Sequence, residues 1–319
     1  MKIGVVTSGG DAPGMNATVR AVVRCAVSRN STVVGIERGY AGLIANQVIP
    51  LDARSVGNIL HEGGTFLKSS RSSEVRTPEG QAKAAEVLKE NSIDGLAVIG
   101  GDGSFRGADA ISKLSGIPCI GIPATIDNDV YGTEETIGFD TSVNTSVNAI
   151  DKIRDTALSH ERVFFVEVMG RNRGFLALQV GICAGACIIL VPEIRTEMHE
   201  ICGKLRSFEE RGKVTSIIVA AEGIGNTMEL ASSCEKSTGF EVRYSKLGYI
   251  QRGGSPTARS RLLADLFGSE AVELLLTGTR NKMVGLQEGR MVATSFDDAV
   301  NRNKPLDMNL YKLAEDLAV

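Results

Sequence analysis

The chain has 319 residues with 35 Lys and Arg against 38 Asp and Glu, and a net charge as small as -3 gives no sequence-independent hold on nucleic acid. Hydrophobic residues make up 43%, enough for a full core without disulfides or metal. No apolar run reaches the ~18 residues of a membrane span, and the length fits one large α/β unit or two domains of ordinary size.

The first residues, Met1 to Thr7, carry one Lys and a short apolar run, so they read as a first strand rather than a signal peptide. A helix is expected over 15–28 and a strand over 32–36. The apolar run 93–99 has the unbroken character of a strand buried on both faces. A helix over 104–115 and a strand over 118–122 come after it. Next are a long helix over 140–159, a strand over 163–169, a helix over 174–184 and a strand over 187–191. Helices over 197–211, 226–238 and 257–276 alternate with strands over 216–221 and 240–245. This alternation argues for parallel sheets with helices on both faces and right-handed crossovers. There is no repeat and no low-complexity stretch; a domain boundary would fall in a short connection such as 133–139. The six cysteines (Cys25, Cys119, Cys183, Cys187, Cys202 and Cys234) form no CxxC pair and read as free thiols of a reducing cytoplasm.

Ligands of open parallel sheets bind beyond the carboxyl ends of the strands, so the loop after each strand matters most. After the first comes Ser8-Gly9-Gly10-Asp11-Ala12-Pro13-Gly14, then a helix; glycines let backbone amides approach a phosphate, and a helix start offers free N–H groups. After 93–99 comes a second such loop, Gly100-Gly101-Asp102-Gly103-Ser104. There Asp102 adds a hard oxygen ligand suited to Mg²⁺, and Ser104 is placed to cap the helix. After 118–122 comes Thr125-Ile126-Asp127-Asn128-Asp129. An isolated Asp-Asn-Asp is usually a turn; read as extended, it points both carboxylates to one side, where one can accept a proton from an attacking hydroxyl. The second half supplies arginines at strand ends: Arg162, Arg171 after Met169 and Gly170, Arg243, and Arg252 in Gln251-Arg252-Gly253-Gly254-Ser255. Guanidinium forks grip phosphate with paired hydrogen bonds.

Taken in order, these segments, with Gly63-Gly64-Thr65, resemble the bacterial type of ATP-dependent 6-phosphofructokinase across essentially the whole chain. One GGDGS loop would equally suit a lipid or NAD kinase; the TIDND and MGR segments do not. The resemblance implies an α/β fold of two Rossmann-like, doubly wound domains with mainly parallel sheets. An ATP-binding domain would take 1–138 with 251–301, and a fructose 6-phosphate domain 139–250 with 302–319. It implies transfer of the γ-phosphoryl of ATP to the 1-hydroxyl of fructose 6-phosphate in the cytoplasm. Gly10, Arg71, Ser72, Gly101, Asp102, Gly103 and Ser104 would hold ATP, with Asp102 on Mg²⁺. Thr125, Ile126 and Asp127 would meet the sugar, with Asp127 as general base and Arg171 on the developing charge. Met169, Gly170, Arg171, Glu222, Tyr249, Ile250, Gln251 and Arg252 would hold the sugar phosphate. Arg162 and Arg243 would reach it from a neighbouring subunit of a homotetramer.

The resemblance also implies an effector pocket between subunits for ADP, GDP or phosphoenolpyruvate, at Arg20, Arg24, Arg54, Arg154, Gly185, Cys187, Arg211 and Lys213. Two departures stand out. Tyr249 takes the place of a common histidine, which implies a weaker pull on the sugar phosphate. Cys187 takes the place of an acidic residue and, as a thiol, is a poor Mg²⁺ ligand, which implies weakened ADP activation. A related group of phosphofructokinases uses pyrophosphate and carries Asp after GGD and Lys before TIDND; here Gly103 and Ala124 leave ATP unobstructed. A pyrophosphate-dependent enzyme and a non-catalytic nucleotide- and sugar-phosphate-sensing homologue are the alternatives.

Overall fold

The computed structural model describes residues 1–70, 72–213 and 215–318. Its elements run β1 (Lys2–Thr7), α1 (Met15–Ser28), β2 (Thr32–Ile36), α2 (Gly39–Ile44), β3 (Val48–Leu51), α3 (Pro78–Glu90), β4 (Gly95–Gly100), α4 (Asp102–Ser115) and β5 (Cys119–Pro123). Then come α5 (Phe139–His160), β6 (Val163–Val168), α6 (Phe175–Cys183), β7 (Ile188–Leu190), α7 (Met198–Glu210), β8 (Ser216–Ala221), α8 (Thr227–Thr238) and β9 (Val242–Lys246). The chain ends with α9 (Ala258–Leu276), β10 (Lys282–Gln287), β11 (Arg290–Ser295), α10 (Phe296–Asn301) and α11 (Met308–Asp316). Two compact units result. One comprises Met1–Ile126, Val130–Thr141 and Arg252–Lys304, the other Asp127–Asp129, Ser142–Gln251 and Pro305–Val319.

The described residues of the first unit form a seven-stranded sheet in the order β11-β10-β5-β4-β1-β2-β3. Its inner strands are parallel, and β3 and β11 run antiparallel at the two edges. Every residue of β4 is buried, as its unbroken apolar run requires. The chain leaves β1 in one direction for β2 and reaches β4 on the other side, so the loops after β1 and β4 flank the point where the winding reverses. The described residues of the second unit form a four-stranded parallel sheet, β7-β8-β6-β9, with Phe165, Leu190, Ile201, Leu205 and Ile218 in its core.

The mainly parallel α/β architecture agrees with the sequence reading, with three local corrections. First, α4 starts at Asp102 rather than at 104. Its N-cap is Gly101, so Ser104 does not cap it; the Ser104 hydroxyl donates instead to Ser8 O at 3.1 Å. Second, the segment 127–129 is not extended, because Asn128 turns into the left-handed region at φ 52°. Third, β3, β10, β11, α2, α3, α10 and α11 are additional elements. The β10–β11 hairpin turns on Glu288 and Gly289, whose φ values of 49° and 73° are those of a two-residue type I′ turn. The start of α3 carries Pro78 in the first turn and a Thr77 hydroxyl accepting from Gly80 N.

Candidate active site

In the first unit, adjacency of β1 and β4 brings two glycine loops side by side. Ser8 N donates to Ile99 O at 2.9 Å. A side chain at Gly100 would strike the Ser8 carbonyl and the Ser104 hydroxyl, so the close approach of the loops requires glycine there. At Gly101 and Gly103 the opposite holds: a Cβ at either would point into open space. That space lies at the start of α4, where the first N–H groups have no helical acceptor and favour an anion. Asp102, in the first turn, stands between the two open positions and offers the carboxylate oxygen that Mg²⁺ selects. The donor chemistry and the open cradle therefore fit a phosphate chain with its metal.

Arg252 belongs to this unit and lies against the first loop. Its Nη2 is 2.7 Å from Asp11 Oδ1, and a side chain at Gly10 would run into the guanidinium. Sequence reasoning missed Asp11; its place directly after Gly10 was the available signal. Thr125 is fixed from both sides, its N donating to Ile137 O at 3.0 Å and its O accepting from Thr136 Oγ1 at 2.6 Å. Ile126 is buried, and the Ser72 hydroxyl accepts from Val75 N at 3.3 Å. Arg71 lies outside the described residues.

In the second unit, the carboxyl ends of β8, β6 and β9 lie side by side, because these strands are parallel neighbours. Beyond β6, Met169 N donates to Gln251 Oε1 at 3.2 Å, and the fully buried Gln251 returns Nε2 to Gly248 O at 2.9 Å. Gly170 and Arg171 then take φ values of 128° and 52°. This turn aims Arg171 N at Glu222 Oε1, 2.8 Å away beyond β8. It also sets Arg171 Nε 3.0 Å from Asp127 Oδ2. The Asp127 side chain is 6% exposed and the Arg171 side chain 49%, so a nearly buried carboxylate is held by an accessible cation. Arg171 and Asn128 are both non-glycine residues at positive φ, a conformation that costs on the order of 1 kcal/mol each and gathers at functional sites. Tyr249 and Ile250 are exposed in the short helical turn after β9.

Arg162 and Arg243 sit at the other end of this sheet. Arg162 precedes β6, and Arg243 is the second residue of β9. Arg162 Nη2 lies 2.8 Å from Glu241 Oε1, and the Arg243 guanidinium pairs with the same oxygen. Hydrogen bonding from Arg162, with the charges of both arginines, holds the Glu241 carboxyl below its usual range. Six residues of β6 separate this end from Met169, which is ~20 Å along a strand, so within one chain these arginines do not join Arg171.

The residues compared with an effector pocket fall in both units. In the first, Arg20 Nη1 is 3.7 Å from Asp265, and Arg24 and Arg54 are exposed. In the second, the Arg154 guanidinium donates to Ala184 O and, at 3.3 Å, to Gly185 O. Cys187 and Arg211 line one cavity of about 400 Å³ under α7 and α11, together with Lys204, Phe208, Tyr311 and Glu315. Lys213 Nζ stands 4.7 Å over the Phe208 ring. The Cys187 thiol is buried and donates to Ile217 O at 3.1 Å; burial pushes its pKa up, which keeps it a thiol.

The phosphofructokinase family pattern matches residues 2–275. The chain is a member of the phosphofructokinase family. Among bacterial relatives, the ATP-dependent 6-phosphofructokinase of Bacillus pumilus is 52% identical over 318 residues, covering 100% of this chain and 99% of the relative. That of Halothermothrix orenii is 50% identical over 330 residues with the same coverage. A solved phosphofructokinase from Saccharomyces cerevisiae superposes with a TM-score of 0.89 at 32% identity, covering 100% of this chain and 48% of the yeast chain, about half its length. A pyrophosphate-dependent phosphofructokinase from Marinobacter aquaeolei shares the fold at a TM-score of 0.84 and 22% identity, covering 97% of this chain and 86% of that one.

Proposed function

We propose that this family member transfers the γ-phosphoryl of ATP to the 1-hydroxyl of fructose 6-phosphate, giving fructose 1,6-bisphosphate and ADP. The observation that carries the reading is the Asp127–Arg171 pair, a buried carboxylate and an exposed guanidinium 3.0 Å apart. Phosphoryl transfer asks for alignment and charge neutralisation, plus a group to take the proton of the attacking hydroxyl. An ion-paired carboxylate can take that proton, and a guanidinium beside it spreads the charge of the transferring group. Asp127 is thus the general base, and Arg171 and Thr125 act with it.

The first unit's loops hold the nucleotide through Gly10, Arg71, Ser72 and Gly101 to Ser104. Mg²⁺, when bound at Asp102, neutralises charge on the phosphate oxygens. Ile126, Met169, Gly170, Glu222, Tyr249, Ile250, Gln251 and Arg252 hold the sugar phosphate. The first unit is accordingly the ATP domain and the second the sugar-phosphate domain. The distance between the two ends of β6 supports placing Arg162 and Arg243 in the site of a neighbouring copy, which makes the working enzyme an oligomer, a tetramer by family analogy. Arg20, Arg24, Arg54, Arg154, Gly185, Cys187, Arg211 and Lys213 contribute to an effector pocket between neighbouring subunits for anions such as phosphoenolpyruvate. The setting is the cytoplasm, as for a glycolytic enzyme.

Product identity tests the reading. Incubation with ATP, Mg²⁺ and fructose 6-phosphate is expected to yield a 1,6-bisphosphate by phosphorus NMR. ADP released without a new sugar phosphate ester would contradict it.

A further inference from the structure

Glu167 is a buried acid that the proposed chemistry does not use. It lies on β6 between β8 and β9 and is 5% exposed. Its Oε1 accepts from Lys246 Nζ at 2.7 Å and its Oε2 from Tyr244 OH at 2.7 Å. Tyr244 and Lys246 are two apart on β9, so both point to the face that carries Glu167, and Lys246 stands directly opposite Glu167 in the register. Leu247 N donates to Glu167 O at 3.0 Å and pins the end of the strand.

The two partners differ in exposure. The Glu167 side chain is 6% exposed and that of Lys246 is 57%. The pair is therefore a buried anion with an accessible cation, and it turns its positive end outward. An ammonium has three donors, and Glu167 Oε1 occupies one. Lys246 closes β9 at the same sheet end as Met169, Gly170, Arg171 and Glu222, and the Glu222 carboxylate favours its charged form. Neighbouring strands are about 4.8 Å apart, so β8, β6 and β9 bring these groups within the span of one sugar phosphate.

We propose that Lys246 is a further phosphate-binding residue of the sugar-phosphate site, aimed by Glu167, and that it supplies a positive charge where Tyr249 carries none. The inference rests on the assignment of these strand ends to the sugar phosphate. The interaction is a charge-assisted hydrogen bond made at a partly exposed site.

The test is steady-state kinetics with ATP and fructose 6-phosphate. Lys246→Met is expected to raise the half-saturation for fructose 6-phosphate about fivefold or more, with kcat within about twofold. The half-saturation for ATP stays unchanged, and inorganic phosphate, competing with the sugar, weakens by the same factor. Lys246→Arg recovers most of the loss. Glu167→Gln, which keeps the lysine charge and loosens its aim, raises the same half-saturation by a smaller factor. An unchanged half-saturation in Lys246→Met, or Lys246→Arg behaving like Lys246→Met, overturns the inference while turnover by the wild type leaves the proposed function standing. A wild-type chain that makes no fructose 1,6-bisphosphate removes both.

Discussion

Arg171 Nε lies 3.0 Å from Asp127 Oδ2, and the same arginine's backbone N lies 2.8 Å from Glu222 Oε1. One residue at positive φ thus ties the turn after Ile126 to the ends of two strands. Replacing Asp127 by Ser removes the proton acceptor and leaves the strand ends in place. Its kcat is expected to fall by roughly 10²–10⁴-fold with half-saturations close to wild type. A kcat near the wild-type value would show that Asp127 is not the base.

Tyr249 is 78% exposed on the turn after β9, and a phenol, unlike an imidazole, has no cationic form to offer a phosphate. Tyr249→His is expected to lower the half-saturation for fructose 6-phosphate, and to lower it further as pH drops and the imidazole gains its proton. No change at any pH would place position 249 outside the phosphate's reach.

The Glu167–Lys246 pair has a signature in stability against pH. Burial opposes ionisation of Glu167, yet Lys246 and Tyr244 together hold its carboxyl below the usual 4.5. The unfolded chain therefore takes up this proton first as pH falls. The stability that the pair contributes is present above about pH 5 and is lost below it, toward the lower folded value. Bonding to Glu167 raises Lys246 above its usual 10.5, so on the alkaline side the contribution is complete below that value and is lost as pH climbs beyond it. The melting-temperature gap between wild type and Glu167→Gln is expected to be wide at pH 7 and to narrow at pH 3. A constant gap would mean that packing, not charge, gives Glu167 its effect.

Gly103 opens onto empty space beside the start of α4. An Asp there would set a negative charge near the nucleotide phosphates, where like charges ~4 Å apart cost ~1–4 kcal/mol. Gly103→Asp is expected to reduce kcat/KM for ATP by more than about fivefold. Retained ATP use would show that the cradle holds the nucleotide elsewhere.

Cys187 is buried, and burial raises its pKa. A thiol offers Mg²⁺ a poor ligand. ADP with Mg²⁺ is expected to activate weakly, while a metal-free anion such as phosphoenolpyruvate still shifts the half-saturation for fructose 6-phosphate. Strong ADP activation in the same titration would contradict this account of position 187.

Much of this organisation is legible from local chemistry. The unbroken apolar run before Gly100 specifies a strand buried on both faces, and the glycine loops come after the strands that flank the reversal of winding. Local pattern cannot supply pairing. Edge strands such as β3, with Pro50 in it, and β11 are short or half-exposed and carry weak apolar periodicity. Asn128 marks a turn that the extended reading of its segment passes over, since asparagine enters the left-handed region more readily than most residues. Asp11, Glu167, Glu241 and Lys246 gain meaning only once register sets them beside Arg252, Tyr244 and Arg162.

The most direct measurement of the central claim is a donor panel with fructose 6-phosphate as acceptor. ATP with Mg²⁺ is expected to support turnover, and pyrophosphate is not. Turnover with pyrophosphate and none with ATP would contradict the account.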